Sequence, residues 1–146
     1  MALAKLSPEE IRAFLQDTDP ALLGVVGTNG PDGFPHLVPV WYCFDGERVH
    51  IWTLAGRAWV KNAQRDERVA FSVQEADTGA RGVSLRGRAA VVTSEAAWVT
   101  EMIRTITLRY IPDPAEADAY IQRWVDLRTI VSIRPVKVSG WRDDGA

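Results

Sequence analysis

Cysteine is nearly absent from this 146-residue chain: Cys43 stands alone, so no disulfide can form within it. Histidine is almost as scarce, at His36 and His50, and with a single thiol the ligand sets of a structural zinc site are missing. No apolar run approaches the ~18 residues of a membrane-crossing helix. The N-terminal Met1-Ala-Leu-Ala-Lys-Leu-Ser also lacks the long apolar stretch of a secretion signal. Neither sign of charge dominates, since 17 Lys and Arg against 19 Asp and Glu leave a formal net charge of −2. Such a chain is not built to hold nucleic acid or an anionic membrane without specificity. There is no Gly-x-Ser-x-Gly elbow, and the carboxylates are scattered with no pair at a spacing that argues acid–base work. These absences lead us to expect a reduced, soluble, cytoplasmic protein with no nucleic-acid or membrane partner and no metal.

The remaining composition is that of an ordinary globular protein, 47% apolar and 25% charged. A chain of this length buries roughly two-thirds of its surface, enough for one domain over residues 1–146 without staples. Six tryptophans are the one unusual count. They suggest aromatic surfaces packed against a subunit or a flat ligand.

Ser7-Pro8-Glu9-Glu10 combines an N-cap serine, proline at the first helical position and glutamate at the third, and predicts a helix ending near Asp19-Pro20. From Ala21 a short apolar run leads into Asn29-Gly30-Pro31-Asp32-Gly33, a turn by composition. Phe34 to Phe44 alternates with both faces apolar, as for a strand covered on two sides. Pro35 and Pro39 place it along an edge or at a bulge. After Asp45-Gly46, Arg48 to Leu54 is a further strand, and the three runs read as an antiparallel meander. Gly56 to Asp66 is helical, with Trp59, Val60 and Ala63 on one side. Strands are predicted at Arg68–Gln74, Gly82–Val92 and Arg128–Val138, the last followed by Trp141. Two more helices lie between the last two strands. One is capped by Ser94, with a stripe of Trp98, Val99, Met102, Ile103 and Ile106. The other is capped by Asp113, with Tyr120, Ile121, Trp124 and Val125 as its stripe. About six strands and four helices joined by hairpins predict an α+β fold, a small antiparallel barrel with helices packed around it.

Glycines 24, 27, 30 and 33 lead from one strand into another rather than into a helix, so they read as a hairpin and not a phosphate loop. His36 alternates with apolar residues and reads most plainly as a hydrogen-bonded histidine on a barrel face, with proton donor or haem ligand as the sharper readings. His50 reads as solvated. Thr53-Leu-Ala-Gly-Arg57-Ala-Trp59-Val-Lys61-Asn62 stands out. A strand ends, glycine turns the chain, and a helix begins with Arg57 in its first turn and Lys61 one turn later. Free N–H groups at a helix start beside two cations suit a phosphate, although the same spacing also suits a solvated helix face.

Read together, five segments resemble the pyridoxamine 5′-phosphate oxidase-like split-barrel family, in its flavin- and deazaflavin-dependent branch. They are Phe34-Pro-His-Leu-Val-Pro-Val-Trp-Tyr, Thr53 to Asn62, Arg65-Asp-Glu-Arg-Val69, Leu85-Arg-Gly-Arg-Ala89, and Ile133-Arg-Pro-Val-Lys-Val with Trp141. The ordered set spans nearly the whole chain. The resemblance implies a six-stranded antiparallel split β-barrel with about four peripheral helices, a homodimer with cofactor sites at its interface. It also implies FMN or the deazaflavin coenzyme F-420 as hydride carrier to a small organic substrate. A non-catalytic flavin-, haem- or tetrapyrrole-binding dimer is the alternative. Carried over by the resemblance, the backbone of Val38, Pro39 and Val40 would face the ring system, with Thr53 below it. Arg57 and Lys61 would hold phosphate within the segment that also contains Ala58, Trp59 and Asn62. The family usually has lysine where this chain has Trp59, and often a basic residue at Ala58. Losing one such cation removes a charge-assisted hydrogen bond of roughly 1.5–3 kcal/mol.

Overall fold

A computed structural model describes residues 3–78, 80–124 and 128–144. In chain order it runs β1 (Leu3–Lys5), α1 (Pro8–Gln16), β2 (Gly24–Asn29), β3 (Pro35–Val40), β4 (Tyr42–Phe44) and β5 (Val49–Leu54). There follow α2 (Ala58–Arg65), β6 (Arg68–Gln74), β7 (Arg81–Thr93), α3 (Ala97–Tyr110), α4 (Pro114–Gln122) and β8 (Arg128–Asp143). The strands form one antiparallel sheet in the order β3-β2-β6-β7-β8-β5-β4, with β1 on the far end of β8. This is the α+β split barrel that the sequence led us to expect, with two more strands than the six counted.

One added strand is β1, too short to alternate, which pairs Leu3 to Lys5 with Asp143 to Trp141. The other comes from the Phe34–Phe44 run, which breaks at Trp41. Its halves lie at opposite ends of the sheet, β3 bonded to β2 and β4 to β5, so the expected meander is instead two separate hairpins. The break has a cause far along the chain. The Tyr42 N–H donates to the Tyr110 hydroxyl of α3 at 3.2 Å. The edge position inferred from the prolines holds, but the outer face of the run is open, with Leu37 67% exposed and Pro35 and Pro39 exposed beside it.

The sheet coils around a first core that includes Val26, Tyr42, Val60, Phe71, Leu85 and Ile133, closed by α1 and the buried face of α2. A second core forms on the other side of β5 and β8, where Val99 and Ile103 of α3 meet Ile121 of α4 and Ile130. Gly33 and Gly46, at φ +85° and +100°, occupy the two Asp-Gly turns, a conformation that costs glycine little.

Local signals match closely at α1, where the Ser7 hydroxyl accepts from the Glu10 N–H at 3.1 Å and Glu10 accepts back from the Ser7 N–H at 3.0 Å. Asp113 caps α4 as expected. Ser94 does not cap α3. The N-cap is Ala96, and the Ser94 hydroxyl instead accepts from the Ala96 N–H at 3.0 Å, which tightens the preceding turn. Trp98 leaves the expected α3 stripe and is 47% exposed, while Thr107 is buried with its hydroxyl donating to the Ile103 carbonyl at 2.7 Å. Val125 lies outside the described residues.

Candidate functional site

The fold brings six of the nine candidate residues, Val38, Pro39, Val40, Thr53, Arg57 and Trp59, to one cavity of about 500 Å³. One wall is the end of β3, where Val38 and Val40 are half-buried and Pro39 is exposed. Across from it β5 ends at Thr53 and Leu54. The Arg57 N–H donates to the Leu54 carbonyl at 3.2 Å and turns the chain into α2. Arg57 is the N-cap residue rather than a first-turn residue, and its side chain makes no cap bond. It is the one charged side chain lining the cavity among the described residues.

The first intrahelical bonds of α2 come from Val60 and Lys61, both donating to the Arg57 carbonyl at 3.1 and 3.2 Å. The N–H groups of Ala58 and Trp59 precede them, as the unsatisfied donors of a helix start do. Trp59 is 4% exposed and belongs to the first core, so its ring floors the cavity rather than filling its mouth. Ala58, Lys61 and Asn62 do not line the cavity. Ala58 and Lys61 are exposed on α2. Asn62 is buried, donating to the Thr28 hydroxyl at 3.1 Å and accepting from Arg65 at 3.0 Å, a strut between α2 and β2. His36 lies beside that strut, its Nδ1 3.4 Å from the Asn62 amide, and does not line the cavity.

Sequence reasoning missed the aromatic part of the lining. Trp41, Trp52, Tyr120 and Trp124 come together there from the β3–β4 break, β5 and the end of α4. Trp41 packs between Tyr110, stacked at 4.9 Å and 8°, and Tyr120 at 5.1 Å. Tyr120 meets Trp52 edge-on at 6.3 Å and Trp124 at 6.4 Å. The only sequence signal was the tryptophan count, and four of the six line this cavity.

Arg109 and Tyr110 anchor this wall from behind. The Tyr110 hydroxyl donates to the Leu22 carbonyl at 2.8 Å. The Arg109 guanidinium donates to the carbonyls of Tyr42 at 2.9 Å and Asp17 at 3.0 Å, and lies 4.7 Å from the Tyr42 ring centroid. Burial pushes the Tyr42 hydroxyl up to about 12 and the Cys43 thiol up to about 11, against the opposing pull of Arg109. Cys43 sits with its sulfur 3.5 Å from that of Met102.

His50 is buried, contrary to the solvated reading. It pairs with Asp45 at 2.7 Å through Nε2 and with the Ser132 hydroxyl at 2.8 Å through Nδ1. It faces away from Val49 and Ile51 as the alternation requires, but that side of β5 is covered by the second core. Asp45, His50 and Ser132 line neither the 500 Å³ cavity nor the hollow on the outer face of the sheet, and their contacts strap β5 to β8.

A second hollow of about 580 Å³ lies on the outer face of β2, β3, β6, β7 and β8. Leu37, Ala70 and Val136 form its apolar floor, with Arg68, Arg86, Arg88 and Lys137 around it. Two of those cations are paired, Arg68 with Asp66 and Arg88 with Glu67, each at 2.8 Å. No metal-ligating cluster occurs among the described residues. No helix there is long and apolar enough to cross a membrane.

Residues 7–142 match the model of the pyridoxamine 5′-phosphate oxidase family. A conserved hypothetical protein from Mycobacterium tuberculosis has a similar structure, with a TM-score of 0.77 and 31% identity over 94% of this chain and 85% of that one. An F-420 reductase superposes at a TM-score of 0.63, 24% identical over 80% of this chain and 88% of its own. A FAD-binding protein from Mesorhizobium loti does so at 0.69, 18% identical over 99% and 100% of the two chains. No curated protein matches the chain by sequence.

Proposed function

This chain belongs to the pyridoxamine 5′-phosphate oxidase family, and we propose that it is an oxidoreductase that works through a flavin-type cofactor, FMN or the deazaflavin coenzyme F-420. The observation that carries this reading is the meeting, in one cavity, of Arg57 at a helix start with walls that, Thr53 apart, are apolar or aromatic. A phosphate suits the first part and a flat ring system the second.

The donor set fits such a group. The N–H groups of Ala58 and Trp59 and the Arg57 guanidinium would hold the phosphate, with exposed Lys61 one turn on as a further cation. The Val38–Pro39–Val40 backbone and Thr53 would face the rings. Trp59 at the usual lysine position removes a cation but leaves the helix-start donors open, because its ring is turned into the core. When bound, the cofactor supplies two-electron hydride chemistry, so the protein needs no nucleophile of its own and contributes orientation and field. The substrate is a small organic molecule.

The working unit in this reading is a homodimer. Its support is the open outer face, where the apolar side chains of Leu37 and Val136 are 67% and 65% exposed around the second hollow. The haem-binding alternative gains nothing from His36, which is set apart from the cavity beside Asn62.

Gel filtration of the purified protein after incubation with excess FMN, and separately with F-420, tests the proposal. We expect one of the two to travel with the protein at one equivalent per chain. Elution of the protein free of both would refute it.

A further inference from the structure

The outer face of the sheet concentrates one sign of charge. In a chain of net charge −2, the second hollow is lined by Arg68, Arg86, Arg88 and Lys137, and by no carboxylate among the described residues. The strand register sets cations directly against one another. Arg88 of β7 stands opposite Arg68 of β6 on one side and Arg134 of β8 on the other, and two residues away Arg86 stands opposite Lys137. All of them are exposed, and like charges directly opposite one another destabilise a sheet. The protein offsets only part of this. Asp66 and Glu67 pair with Arg68 and Arg88, whereas Arg86, Arg134 and Lys137 have no counter-charge among the described residues.

One of these juxtapositions is built by an irregularity of the backbone. The β7–β8 ladder shifts register between Arg86 and Gly87, and Val136 is the extra residue. In an unbulged ladder Val136 would stand opposite Arg86, and Lys137 would fall on the core-facing side of β8. The bulge turns Lys137 outward beside Arg86. Gly87 permits the close approach, since a Cβ there would lie 2.5 Å from the Arg134 carbonyl oxygen. Two cations are thus brought side by side on the outer face at the cost of a regular ladder.

We propose that Arg86 and Lys137 hold a small inorganic oxyanion of the phosphate class, and that this anion lies between the two copies of the homodimer. The inference rests on the dimer reading and not on the cofactor, because the hollow and the Arg57 cavity share no lining residue. A two-fold contact uses the same patch on both chains, so the patch must supply its own counter-charges. This one has none to spare. Covering Arg86 and Lys137 with a second copy would strip their hydration and give them no partner. A multivalent oxyanion removes the conflict, since its oxygens accept from cations of both chains at once. Leu37 on β3 lies three strands from Arg86 on β7, roughly 14 Å at the usual strand spacing. The apolar contact and the charged site are therefore separate parts of one face.

The test is sedimentation velocity over a concentration series at pH 8, in sodium chloride and in sodium phosphate of equal ionic strength, so that general screening is the same in both. We expect the dimer to form at least fivefold more tightly in phosphate. The Arg86→Gln/Lys137→Gln double variant, altered only at exposed positions, should dimerise with equal strength in the two salts. Arg57→Ala should respond to phosphate as the parent does. A parent dimer indifferent to phosphate, a double variant that keeps the phosphate effect, or loss of the effect in Arg57→Ala would each overturn the inference. Failure of the dimer reading shows differently. A parent that stays monomeric in both salts removes the dimer, and calorimetric titration with phosphate then decides the anion site. The site stands if the parent and Arg57→Ala bind phosphate and the double variant does not, and falls if the parent binds none.

Discussion

At the scale of single residues, the cavity's chemistry rests on a few side chains whose surroundings decide what they do. Cys43 is the only thiol, and burial pushes it up to about 11. At pH 8 roughly one molecule in a thousand would carry the thiolate. Native protein should therefore resist labelling by a disulfide reagent and react fully once unfolded, and rapid labelling of the native form would contradict the buried placement. Asp66 behaves in the opposite sense. The Arg68 side chain, then Asn29, then the Arg68 N–H hold its carboxyl well below the usual 3.8. Because the folded state depresses this group, its contribution is present above the unfolded value and is lost as pH falls through the folded one. Chemical denaturation from pH 5 downward should therefore show a shallower acid loss for Asp66→Asn than for the parent; identical slopes would remove Asp66 from the account. The helix-start signal at Arg57 was legible because strand, glycine and cations are adjacent in sequence. The role of Asn62 was not, because its partner Thr28 lies 34 residues away.

Among the elements, the least legible feature is the most consequential. The capping box of α1 and the Asp113-Pro114 start of α4 could be read directly, since each is complete within four residues. The break at Trp41 could not, because the groups that hold it come from α3, 68 residues along the chain. Alternation in the Phe34–Phe44 run carried no mark of it. The same helix end supplies Arg109, which joins α3 to the C-terminal end of α1 and to β4 through the carbonyls of Tyr42, Asp17 and, at 3.5 Å, Leu15. Removing a charged donor from buried acceptors costs about 1.5–3 kcal/mol. Arg109→Leu should lower unfolding stability by that order. Arg109→Lys should recover little, since an ammonium cannot span the three acceptors as a planar fork does. Full recovery by lysine would mean that charge, not the fork, ties these elements together.

For the molecule as a whole, the proposed dimer face and the proposed cofactor cavity meet on one strand, β3. Leu37 on β3 belongs to the outer hollow, while Val38 and Pro39 of the same strand line the cavity. Leu37→Asp, at a position 67% exposed in the single chain, should leave the fold intact and convert a dimer to monomers in sedimentation velocity. A parent protein that sediments as a monomer would remove the dimer from the proposal. The central claim is that the Arg57 end of the cavity holds the phosphate of a flavin-type cofactor. Titration of the intrinsic tryptophan fluorescence with FMN and with F-420 tests it most directly, because Trp41, Trp52, Trp59 and Trp124 all line the cavity and report on its filling. The account expects saturable quenching by one cofactor with a Kd on the order of micromolar, weakened at least tenfold in Arg57→Ala. Quenching by neither, or an affinity unchanged by loss of Arg57, would contradict it.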